Sequence, residues 1–194
     1  MRNGNGTGNG KGAKRGASEK QTEAAERDAS PTAAAAQDKA VADSNPKSAG
    51  YTSADIGELL YMLEEEKLAG DLYEAFYAQT GAKVFKNIAK SEDGHFNALL
   101  NQAEKIGLDT DAFTFLPAGE YVNDEIQDLY DSLLKQGSAS KTAALEVGVL
   151  IEETDILDLA AAAAAVYGTA LESVYERLLA GSSNHLDAFE AALG

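Results

Sequence analysis

The chain has 194 residues, with 16 Lys/Arg against 32 Asp/Glu, two histidines, no cysteine and a formal net charge of −16. A protein this negative repels phosphate backbones and anionic lipid, so neither nucleic acid nor a membrane is an expected partner. Without thiols, disulfides, Cys-ligated zinc and iron–sulfur clusters are excluded.

Residues 1–50 are rich in Gly, Asn and Ala and hold eight Lys/Arg, six Asp/Glu and almost no large apolar side chain. Such a segment cannot bury enough apolar area to offset the entropy of ordering, so a disordered tail is expected. Its alternating glycines, Gly4 to Gly12, fit neither phosphate-loop pattern. No apolar run follows Arg2, Lys11, Lys14 and Arg15, so no secretory signal is expected and the default location is the cytoplasm. Residues 51–194, with eight Lys/Arg against 26 Asp/Glu, carry all of the net negative charge and read as one folded domain.

From Thr52 onward apolar residues recur at steps of three and four, the period of helices with one buried face. A first helix starts near Ser53 or Asp55, runs to about Gln79 and is stopped by Gly81. A second spans about Ala82 to Lys105 and ends at Gly107. A polar and aromatic connection containing Pro117 leads to a short helix over about Asp124 to Gln136, closed by Gly137. The third long helix spans about Ser140 to Val166, Gly168 ends it, and the fourth runs from about Thr169 to Leu193. Tight turns near residues 80 and 168 force antiparallel neighbours, whereas the long connection can run the length of the molecule. The expected fold is all-α: an antiparallel four-helix bundle with a long crossover between helices 2 and 3 that contains a short extra helix.

Every long helix has a polar break in its apolar seam. The first reads Ile56, Leu59, Leu63, then Glu66; the second Phe85, Ile88, then Glu92 and His95. The third reads Leu145, Val149, then Glu152, and the fourth Tyr175, Leu178, then Ser182 and His185. A lone carboxylate inside a core is strongly destabilising, so four such breaks call for a common partner. Glu66 lies about as far before the turn near residue 80 as Glu92 and His95 lie after it. Glu152 stands likewise to Ser182 and His185 about the turn near 168, so each hairpin brings its polar groups to one height. Phe85, Ile88, Glu92, His95 and Ala98 align with Tyr175, Leu178, Ser182, His185 and Ala188, an internal duplication with one defect at Ser182.

One Glu from each of two helices plus a Glu-x-x-His from each of two others is the ligand set of di-iron and di-manganese bundle sites. Glu66, Glu92, His95, Glu152 and His185 supply five of those six positions. Glu153 competes with Glu152, and the stripe through residues 145, 149, 156 and 159 favours Glu152. Oxygen and imidazole donors without thiolate suit iron or manganese, with zinc an alternative. Tyr73, two turns beyond Glu66, reads as a core side chain, with contact to the site or a redox role as the alternatives.

At these residues the chain resembles the ferritin-like superfamily. Glu66-Lys-Leu-Ala-Gly-Asp-Leu-Tyr73 resembles the first-helix ligand motif of rubrerythrins, and Ser91-Glu-Asp-Gly-His95 their second-helix motif. The whole of residues 55–193 is more similar still to an uncharacterised prokaryotic ferritin-like domain family. Phe85-Lys-Asn-Ile-Ala-Lys-Ser-Glu92, Ile151-Glu-Glu-Thr-Asp-Ile-Leu-Asp-Leu159 and Gly181-Ser-Ser-Asn-His-Leu-Asp-Ala-Phe189 carry that match. The resemblance implies a ferritin-like bundle, and it implies that Asp155 is the extra third-helix carboxylate that compensates for Ser182. It further implies two iron ions that react with dioxygen or peroxide. Their electrons would come from a separate donor, because a chain without cysteine has no rubredoxin-like module. Iron storage would require a closed shell, which makes a second copy of the chain a candidate partner. The alternative is a non-enzymatic bundle that binds one metal or none and serves as a structural or interaction module.

Overall fold

The computed structural model describes Ser48 and residues 50–194; the rest of the expected tail lies outside the described residues. These form six helices and, among the described residues, no strand: α1 Ser53–Thr80, α2 Lys83–Lys105, α3 Asp111–Thr114, α4 Asp124–Gly137, α5 Lys141–Ala165 and α6 Glu172–Leu193. Thr52 caps α1 in a reciprocal box: its hydroxyl accepts from the Asp55 N–H at 3.1 Å and the Asp55 carboxylate accepts from the Thr52 N–H at 2.6 Å. Side chains of Asn123 and Ser140 cap α4 and α5. Gly81 ends α1 at φ +68°, a left-handed conformation that side chains disfavour.

α1 packs against α2 and α5 against α6, while α1 also meets α5 and α2 meets α6. That arrangement of four long helices is compatible with a four-helix bundle. Its interior holds two apolar cores. One gathers Ile56, Leu59, Leu63, Leu99, Leu159, Tyr175 and their neighbours; the other gathers Leu72, Phe76, Phe85, Leu145 and Phe189 among others. In all four long helices the residues between the two cores are polar and buried: Glu66, Glu92, Glu152 with Asp155, and Ser182 with His185. A polar layer thus crosses the middle of the molecule, at the height where the seams are broken.

The crossover is pinned to the outside of α1. The Asp71 carboxylate accepts from Lys67 Nζ at 2.6 Å, the Gly119 N–H at 2.9 Å and the Tyr121 hydroxyl at 2.9 Å. Glu64 accepts from the backbone N–H groups of Val122 and Asn123. α3, a single turn, was not expected from the sequence; it buries Phe113. Gly137 is the last residue of α4 rather than a stop beyond it, and a Cβ there would fall 2.2 Å from Phe76 Cζ. Its role is close approach, not helix termination. No helix among the described residues is long and apolar enough to cross a membrane.

Candidate metal centre

Glu92 sits at the middle of the polar layer with one carboxylate oxygen toward each histidine. Its Oε2 lies 2.8 Å from His95 Nδ1 and its Oε1 2.7 Å from His185 Nδ1. The i, i+3 spacing on α2 places Glu92 and His95 on one face. Glu66 on α1 reaches His95 Nδ1 at 3.2 Å, and Glu152 on α5 reaches His185 Nδ1 at 3.5 Å. One ligand atom from each of Glu92, His95 and His185 lies within 4.8 Å of the others. Glu66, Glu92 and Glu152 are each only 2% exposed, while Glu153 faces solvent.

Asp155 stands on the same side of the layer as Ser182, whose hydroxyl is bonded to its Oδ2. The Ser182 hydroxyl also lies 3.1 Å from the Leu178 carbonyl. A hydroxyl has one proton for two acceptors, so a protonated Asp155 satisfies the pair. Burial, above all, raises Asp155 to about 7. Ser182 on α6 is thus in contact with a carboxylate carried by α5.

Burial pushes His95 down, but the bonds from Glu66 and Glu92 raise it to about 10. His185 is likewise lowered by burial and raised on balance, to about 9, by Glu152 and Glu92. Glu92 is pushed up by burial, yet the two histidines hold it down at about 2. Burial and the Asp155 charge keep Glu66 well above the usual carboxylate range. Glu66 Oε1, Glu92 Oε1 and His185 Nδ1 are buried without a hydrogen-bond partner. The 2.7 Å contact between the last two is thus a close electrostatic approach with poor alignment. Leaving a buried polar atom unsatisfied costs about 1–3 kcal/mol, and a bound cation would satisfy Glu92 Oε1 and His185 Nδ1, which lie 2.7 Å apart. The donor set is carboxylate and imidazole without sulfur, which fits iron, manganese or zinc.

Contact of Tyr73 with the site was one alternative open in the sequence, whereas the contacts of Ser91 and Gly181 were not visible there. Tyr73 is fully buried and its hydroxyl donates to Glu152 Oε1 at 2.7 Å, so it is a core side chain that also holds a site carboxylate. Ser91 Oγ lies 2.9 Å from His185 Nε2. Gly181 lies against His95, where a Cβ would be 2.6 Å from Nε2. Ser91 and Gly181 each precede a histidine by four residues and touch the other one. The duplication aligns them, and a glycine inside a helix was the available signal.

Residues 55–194 match the model of a family described as an uncharacterized protein domain (DUF2202). The chain belongs to this family. It is similar to the uncharacterized protein MJ0754 of Methanocaldococcus jannaschii, at 38% identity over 131 residues, covering 68% of this chain and 70% of that protein. It also superposes on the crystal structure of hypothetical protein MJ0754 with a TM-score of 0.68 and 37% identity, over 71% of this chain and 78% of that one.

Proposed function

We propose that the chain is a ferritin-like four-helix-bundle protein whose polar layer binds two metal ions, iron foremost, and uses them on dioxygen or peroxide. The observation that carries this reading is the Glu92 carboxylate, buried with one oxygen at each histidine and with Oε1 unbonded. Glu66, Glu92 and His95 would hold one ion; Glu92, Glu152, His185 and Asp155 would hold the other. Bound iron would supply one-electron chemistry with a small oxidant. The protein's own part is to orient and to dry. Tyr73 fixes Glu152 by its hydroxyl, Ser91 fixes the His185 ring, and the apolar cores on either side of the layer exclude water. Loading requires both imidazoles to give up their protons.

Anaerobic addition of ferrous iron to the metal-free protein, followed by oxygen or peroxide, tests this by the rate of ferric absorbance. The expected rate exceeds that of buffer and of Glu92→Ala; equal rates in all three would reject the redox reading. A second reading has its own observation: the carboxylates of Glu66, Glu92 and Glu152 already pair with the imidazoles of His95 and His185. That is what a non-enzymatic polar layer would need, and protein that retains no ion would favour it.

A further inference from the structure

A cavity of about 190 Å³ opens beside the centre between α1, α2 and α3, with room for several waters. Its buried floor is Glu66 and Glu92, and exposed Glu74 and Asp93 stand at its rim. Its one lysine, Lys67, is already committed to Asp71 at 2.6 Å and the Pro117 carbonyl at 2.9 Å. Of the four other carboxylates, Glu74 and Asp93 form no ion pair among the described residues, and Glu66 and Glu92 meet only the imidazoles of His95 and His185. Glu66 and Glu92 each have a buried Oε1 without a hydrogen bond, that of Glu92 lying beside His185.

Glu66, Gly70 and Glu74 are four residues apart on one face of α1, so they form a line from floor to rim. Gly70 lines the same cavity in the middle of a 28-residue helix, where glycine is among the poorest helix formers. Packing does not demand it: a Cβ would meet Glu92 Cβ at 3.5 Å and the Ala89 carbonyl at 4.0 Å, both ordinary contacts. Gly70 thus lines the cavity with no side chain of its own.

We propose that this cavity is the loading vestibule through which a hydrated divalent cation reaches Glu66 and Glu92, with Glu74 and Asp93 drawing it in and Gly70 keeping the passage clear. The proposal rests on the metal reading above. An anionic ligand would be repelled by the same lining, and a neutral oxidant would gain nothing from it.

The test mixes the metal-free full chain with excess Co²⁺ and follows the visible bands of bound cobalt in a stopped flow. Glu74→Gln with Asp93→Asn should slow association about fivefold at low salt and flatten its dependence on ionic strength. Gly70→Leu should slow it by on the order of tenfold or more, whereas Gly70→Ala should load at a rate near the parent's and melt at a higher temperature. If Gly70→Leu does not fold, the charge variants still decide. Unchanged rates in them, in a parent that loads, overturn the vestibule alone. So does slowing by Glu58→Gln with Asp158→Asn instead, which would put the entrance between α1 and α5. A parent that takes up no Co²⁺ at equilibrium overturns both the vestibule and the metal reading.

Discussion

The rings of His95 and His185 stack with centroids 5.3 Å apart and planes 25° from parallel. In the metal-free protein both are raised above an ordinary imidazole, so two like charges face each other across a buried layer. Glu92, with an oxygen at each ring, is what holds them together. Glu92→Gln should therefore lower the melting temperature of the metal-free protein more than Glu153→Gln, which alters an exposed carboxylate. Breaking a buried ion pair costs about 3–5 kcal/mol, against less than about 1 for a surface charge. Calorimetry of both variants checks this, and equal melting temperatures would remove Glu92 from its central role.

The pH dependence has a definite sign. A group whose pKa is raised on folding stabilises fully below its unfolded value and loses that contribution as pH climbs through the folded one. Asp155, raised to about 7, loses its share between about pH 4 and 7, and the histidines, raised to about 10 and about 9, lose theirs from about pH 6.5 upward. Glu92, lowered to about 2, acts oppositely and loses its share only in acid. The metal-free protein should thus melt at progressively lower temperature between pH 5 and 9. Metal binding displaces the same imidazole protons, so the gain from added Mn²⁺ should grow over that range. Calorimetry at pH 5, 7 and 9 with and without Mn²⁺ reads both trends; a metal-free protein that becomes steadily more stable toward pH 9 would contradict them.

Gly181 and Gly94 are both helical glycines, with opposite surroundings. A Cβ at 181 would collide with the His95 ring, whereas a Cβ at 94 meets nothing within 4 Å. Gly94→Ala should stabilise by about 1 kcal/mol through helix propensity alone. Gly181→Ala should displace His95 and weaken metal binding about tenfold or more. Calorimetry and Mn²⁺ titration of the two variants separate these effects, and Gly181→Ala binding like the parent would show that the ring can move at no cost.

The duplication has its one defect at Ser182, and the contact of Ser182 with Asp155 gives that defect a measurable consequence. Asp155→Ala should weaken one of two binding events about 10- to 100-fold, the range for disturbed ligand environments. Ser182→Glu should restore it in the Asp155→Ala chain while destabilising the parent, where it would crowd two carboxylates. Stepwise Mn²⁺ titration of the four chains measures this. A parent-like titration of Asp155→Ala would take Asp155 out of the site.

Much of the centre was legible because helical period and turn position together fix height. Glu66, Glu92, His95, Glu152 and His185 could be brought to one layer by counting residues from Gly81 and Gly168. What lies across a helix interface could not be counted. Gly137 looked like a helix stop and proved to be the floor beneath Phe76. Glu64 and Glu65, next to Glu66 in the sequence, are buried as well. The crossover covers Glu64, and Glu65 is raised first by burial and then by Asp158, Asp155 and Glu58 around it. No local pattern announces a crossover that leaves α2 and folds over α1.

The most direct test of the central claim is the number of ions bound per chain after metal-free protein is loaded anaerobically with ferrous iron, in the parent, in Glu92→Ala and in His95→Ala with His185→Ala. The parent should bind about two ions per chain, and both variants should lose binding. A parent that binds no iron, or variants that bind it as the parent does, would contradict the assignment of the polar layer as a metal centre.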